Sequence, residues 1–168
     1  MSDLRMNNVR GYLAEFLVAK AVGATGSRIE WDAYDIFTPE GIRVEVKSAG
    51  YLQTWAQRRL SRISFGSMKG RTWAPETGES AEATLNADVY VFAIQTATCH
   101  DAYDPLDVDQ WQFYVVGRAA IETTGYSSIG LPILRILSDG PVEYADLADA
   151  VRAARAGHPG DGIAGASH

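Results

Sequence analysis

Asp35 is followed, after nine intervening residues, by Glu45-Val46-Lys47 in the stretch DIFTPEGIRVEVK, residues 35–47. Pro39-Glu40-Gly41 suits a three-residue hairpin loop, because proline presets φ at the first position and glycine supplies a left-handed conformation at the third. Thr38 then pairs with Ile42, and Asp35 lies across from Glu45 on one face. Tyr34, Ile36, Ile42, Val44 and Val46 form the other, apolar face. Lys47 follows on the face of Glu45, about 7 Å further along the strand. Opposed carboxylates repel, and a fold tolerates them when a cation lies between. Hard oxygen ligands on strands suit Mg²⁺ (with Mn²⁺ as a substitute), which takes one or two carboxylates and keeps several waters. Such an ion lowers the pKa of a bound water and polarises a phosphoryl oxygen. Lys47 could position the attacking water or offset charge developing on the phosphate. Residue type and spacing thus mark a candidate metal site for phosphodiester cleavage; the alternative is a solvated charge ladder on an exposed sheet face.

The charge distribution points the same way. The net charge is -6, which by itself speaks against a nucleic-acid partner. Residues 1–41 balance to -2 and residues 74–168 to -10, whereas residues 42–73 carry +6, with Glu45 as their sole acid. In this island Arg58, Arg59, Arg62, Lys69 and Arg71 interleave with Tyr51, Trp55 and Trp73, a pattern that could grip a phosphate backbone. Its ordinary alternative is a solvent face.

Other constellations carry less. Cys99-His100 has no second ligand pair at zinc spacing. Asp101, Asp104, Asp107 and Asp109 lack the calcium-loop pattern with its central glycine and terminal glutamate. No glycine-rich phosphate loop occurs. The last two helices suit a helix-turn-helix poorly, since Glu143, Asp146 and Asp149 would face phosphates.

These side chains need elements to hold them. Asn7 or Asn8 can cap a helix that runs to about Val22 and is ended by Gly23. Val9, Tyr12, Leu13, Phe16 and Leu17 form its main apolar stripe, with Gly11, Val18, Ala19 and Val22 as a second face. Glu15 lies on that second face, where a carboxylate is costly unless paired; it belongs either to a partly exposed edge or a salt bridge, or to a polar site. A strand is predicted near 63–66, buried strands at 88–94 and 111–117, and helices at 131–137 and 142–155. Helix, several strands, then helices give an α/β or α+β domain over residues 1–156 around a mixed sheet. The Gly-rich segment 157–168 is expected to be a disordered tail. A lone Cys99 suits a reducing cytoplasm. No secretory signal and no membrane span are read.

With helix, hairpin and spacing together, residues 8–48 resemble the core of the PD-(D/E)XK nuclease superfamily, the restriction-endonuclease-like fold. Asp35 and Glu45-Val46-Lys47 resemble its motif, with Tyr34 where the name has proline. RGYLAEFLVAKAVG resembles the Gly-x-x-x-Glu helix found ahead of that core in resolvase-like members. The resemblance implies a central mixed β-sheet flanked by helices. It further implies Asp35 and Glu45 as Mg²⁺ ligands, Lys47 as the catalytic lysine, and Glu15 as an extra ligand or metal-water contact. The expected function is metal-dependent hydrolysis of phosphodiesters, in DNA before RNA, with a homodimer plausible because cutting two strands takes two sites. The rival is a non-catalytic module of the same fold that binds nucleic acid or protein.

Overall fold

The computed structural model describes residues 6–26, 34–70, 73–74, 78–79 and 83–157. It opens with α1 (Asn7–Ala21), followed by β1 (Ile36–Phe37) and β2 (Arg43–Gly50). Three short strands come next: β3 (Ser64–Phe65), β4 (Trp73–Ala74) and β5 (Gly78–Glu79). Two long strands, β6 (Val89–Gln95) and β7 (Trp111–Gly117), complete the sheet, and α2 (Arg118–Thr124), β8 (Ile129–Gly130), α3 (Leu131–Leu137) and α4 (Leu147–Ala156) follow. The fold is mixed α/β, as expected from the sequence. Among the described residues no helix is long and apolar enough to cross a membrane.

The central sheet has the order β1-β2-β6-β7. β2 and β6 are parallel and the other neighbours antiparallel. Both faces are covered, so every residue of β6 is buried, as a strand in the middle of three layers must be. On one face α1 and α4 bring Ala14, Leu17, Val18, Leu147 and Val151 against Val44, Val46, Val91 and Phe113. On the other, Tyr90, Phe92, Ile94 and Tyr114 pack with Phe65, Ile121, Ile129 and Leu134. β3 pairs with β8 over this second face.

The sequence reading misplaced the contact face of α1. Tyr12 and Phe16, expected in the core, are 64% and 61% exposed, while Arg10, Ala14, Leu17 and Val18 are buried. Gly11 lies toward β2, where a Cβ would stand in ordinary contact, 3.8 Å, with Ser48 Oγ. The helix seats on the sheet through Ala14, Leu17 and Val18 and leaves the aromatics outside. Met6, rather than Asn7 or Asn8, is the N-cap, without a side-chain cap bond; Asn7 Oδ1 instead accepts from the Arg10 guanidinium at 2.9 Å. Tyr34 packs against the second core, not beside Ile36 in the first. The helix expected over 142–155 is a 3₁₀ turn, Tyr144–Asp146, leading into α4. Helix α2, which the sequence reading left unassigned, stops at Gly125, whose φ of 64° suits a left-handed cap. Of the expected tail, 158–168 lie outside the described residues.

Asp88, just before β6, fastens several elements. Its carboxylate accepts from Arg43 N–H at 2.9 Å, from both sides of the Arg43 guanidinium at 3.1 and 2.7 Å, and from Arg155 of α4 at 2.9 Å. Its main chain bonds Arg43 and Arg118. Burial alone would raise the Asp88 carboxyl, but the Arg43 hydrogen bonds and the Arg155 charge outweigh it and hold the pKa below the ordinary range.

Candidate active site

The hairpin register follows the turn chemistry. Ile36 pairs with Val44 and Phe37 with Arg43, Thr38 N–H donates to Ile42 O at 3.0 Å, and Gly41 has a φ of 83°. The β1 ladder stops at Ile36, so Asp35 sits just beyond it. Its N–H donates to Val44 O at 3.1 Å, and its Oδ2 accepts from Val46 N–H at 2.8 Å. Asp35 is thus fixed to the backbone of β2 at the residue between Glu45 and Lys47.

Alternation along β2 sends Val44 and Val46 toward α1, and Glu45 and Lys47 to the opposite face. There Glu45 is in register with Tyr90, and Lys47 with Phe92. Lys47 Nζ stands 2.9 Å from Glu45 Oε1, both side chains about one-fifth exposed. Burial pushes the Tyr90 phenol up, and the charge of Glu45 adds to the rise; Tyr90 accordingly presents a protonated hydroxyl near that carboxylate at neutral pH.

Glu15 and Asp35 line one cleft of about 360 Å³ between α1 and β1. The structure therefore joins Glu15 with Asp35 across a cleft, Asp35 with β2 through Val46, and Glu45 with Lys47. Among the described residues no three His, Cys, Asp or Glu side chains converge to hold a metal ion, so Glu15, Asp35 and Glu45 do not form a preassembled three-carboxylate cage. The reason is geometric: α1 covers the Val44–Val46 face of β2, while Glu45 points away from it.

The basic island divides. Arg43 belongs to Asp88 and Lys47 to Glu45. Arg58, Arg59, Arg62 and Lys69 are exposed, and Trp55 is 58% exposed. Arg71 lies outside the described residues. The loop after β2 is closed by Ser61 N–H on Tyr51 O at 3.0 Å. Within it, Gln57 Nε2 reaches Tyr51 O at 3.2 Å and Ser61 Oγ at 3.0 Å, and Gln53 N–H donates to Gln57 Oε1 at 2.8 Å. Arg58 and Arg59 are therefore carried on a hydrogen-bonded hoop rooted at Tyr51, just past the end of β2.

Two features escaped the sequence reading. Arg10 is buried, its guanidinium bonded to Leu52 O at 3.4 Å and to Asn7, and desolvation pulls its pKa down. It joins α1 to the base of the hoop, and a Cβ at Gly50 would come within 3.0 Å of its NH1. Asp88 was the other. Nothing local marks these pairings, because Leu52 lies 42 residues from Arg10 and Arg43 lies 45 from Asp88.

Fold and site define a mixed α/β protein with an acid–x–lysine strand beside an acidic, aromatic-lined cleft. The chain belongs to the bacteriophage T4 endonuclease IV family, whose model matches residues 1–131. That span contains Glu15, Asp35, Glu45, Lys47 and the whole basic island, and the membership makes the protein a nuclease. Among curated proteins none matches the chain.

Proposed function

We propose that the protein is an Mg²⁺-dependent endonuclease of the PD-(D/E)XK type that hydrolyses phosphodiester bonds in DNA. The observation that carries this reading is the fixation of Asp35 on Val46 N–H, between the Glu45 and Lys47 positions. The donor set fits the ion: Asp35 and Glu45 offer hard carboxylate oxygens on neighbouring backbone segments, and magnesium completes its shell with water. Asp35 and Glu45 would hold it, and Glu15, which lines the α1 side of the cleft with Asp35 and not with Glu45, would reach the ion's water only from the Asp35 side. When bound, the ion supplies an activated water and a polarised phosphoryl oxygen. Lys47, kept in place by Glu45, offers its ammonium donors to the attacking water or to the charge growing on the phosphate. Arg58, Arg59, Arg62, Lys69, Arg71 and Trp55 would hold the flanking strand. Cutting a duplex takes two such sites, so a homodimer is part of the proposal. The ion pair of Glu45 with Lys47 favours the rival reading, a non-catalytic module, if it persists when Mg²⁺ is offered.

Thermal melts separate the two. Asp35→Asn keeps the shape and an acceptor for Val46 N–H, so without metal it should shift stability by no more than about 1 kcal/mol, the scale of one cross-strand pair. Saturating Mg²⁺ should stabilise the parent by roughly 2.7 kcal/mol at 100-fold over the dissociation constant, and the variant by much less. A parent whose melting temperature ignores both Mg²⁺ and Mn²⁺ would contradict a metal site.

Charge reversal at Arg58 and Arg59 addresses the hoop. It should weaken DNA binding across sequences and flatten the salt dependence, by about one unit of slope per lost phosphate contact. Salt titrations that superimpose on those of the parent would return these arginines to an ordinary solvent face.

A further inference from the structure

The aromatics that α1 and β1 leave exposed stand around the carboxylates. Tyr12 is 64%, Phe16 61% and Phe37 56% exposed. All three line the cleft that holds Glu15 and Asp35. Tyr34 lines it too, its ring centroid 5.9 Å from that of Phe37. Single exposed apolar residues are ordinary, but several on facing walls of one cleft mark a binding surface. Both walls are backed by the core, through Ala14 and Leu17 behind α1 and Ile36 beside Phe37, so the rings sit on fixed backbone.

We propose that Tyr12, Phe16 and Phe37 form a nucleobase-stacking subsite that takes the base of a nucleotide next to the scissile phosphate. The inference rests on the endonuclease reading above and deepens it. Three observations select the occupant. The rings offer flat π surfaces, which accept any base face. The carboxylates of Glu15 and Asp35 in the same cleft disfavour a bare phosphate and tolerate the N–H groups of a base edge. Burying those carboxylates under an apolar protein surface would be costly, whereas a base leaves a polar rim. The subsite also adjoins Asp35, so a base held there places its own phosphate beside β2.

The test uses the full chain and two fluorescein-labelled oligodeoxynucleotides of equal length, one with bases and one abasic throughout. Binding is followed by anisotropy in EDTA, where cleavage does not intervene. Tyr12→Ala and Phe16→Ala should each weaken binding of the base-bearing strand by roughly fivefold or more. They should leave the abasic strand unaffected, and Phe16→Tyr should bind like the parent. Both alanine variants should melt like the parent, since these rings are exposed. Unchanged affinity for the base-bearing strand overturns the subsite, and so does an equal loss for both strands. So does a dimer of the parent that Tyr12→Ala dissociates, which would make the cleft a surface for a second copy of the chain. A parallel cleavage assay of Asp35→Asn in Mg²⁺ keeps the two readings apart. An inactive Asp35→Asn beside normally binding alanine variants removes the subsite alone; an active one removes the metal site alone.

Discussion

Glu45→Gln is expected to lower the DNA cleavage rate in Mg²⁺ by at least about 10²-fold, the usual cost of removing one electrostatic contact to a developing charge. The substitution strips two functions at once. It withdraws one of the two carboxylates proposed to hold the ion. It also takes away the charged partner that keeps Lys47 Nζ in place at 2.9 Å. Glutamine fills nearly the same volume, and Glu45 is only partly buried, so folding should survive. Lys47→Ala should lose activity on a similar scale while keeping the Mg²⁺-dependent rise in melting temperature, because lysine contributes no ligand. That split distinguishes the two residues: Glu45→Gln should lose both cleavage and metal stabilisation, Lys47→Ala cleavage alone. Cleavage at the parental rate by both variants would place the chemistry elsewhere in the chain.

Asp88→Ala should destabilise the fold by about 2–3 kcal/mol. Removing one partner from a buried pair costs about 3–5 kcal/mol. Arg43 and Arg155, with side chains 42% and 37% exposed, can regain water, which lowers the figure. In a domain of this size that corresponds to a fall in melting temperature of roughly 5–10 °C. The pH dependence has a definite sign. A carboxyl whose folded pKa lies below its unfolded value contributes stability above the unfolded pKa and loses it as pH falls through the folded one. The gap between parent and Asp88→Ala should therefore be full at neutral pH and close as the solution is acidified below about pH 4. A gap that stays constant into acid would mean that Asp88 acts by shape rather than by charge.

Both residues show how far a linear sequence reaches. Glu45 was legible because its partners are local. Pro39 and Gly41 dictate the turn, the turn dictates the register, and alternation then puts Glu45 and Lys47 on one face. The strand 111–117 was equally plain, since an apolar run bounded by polar loops has few other ways to be buried. The mixed sheet flanked by helices followed from the order of such runs.

Only the tertiary structure decided the rest. Period 3.6 announced α1 but offered two apolar faces, and the packing of Ala14, Leu17 and Val18 against Val44, Val46 and Val91 chose between them. That choice exposed Tyr12 and Phe16 and brought Glu15 to the cleft of Asp35 instead of to Glu45. The basic island looked uniform, yet Asp88 and Glu45 claim two of its members. Long-range pairing of this kind leaves no periodic trace, because a buried Asp88 and an exposed Asp109 are the same letter until the chain has closed around one of them.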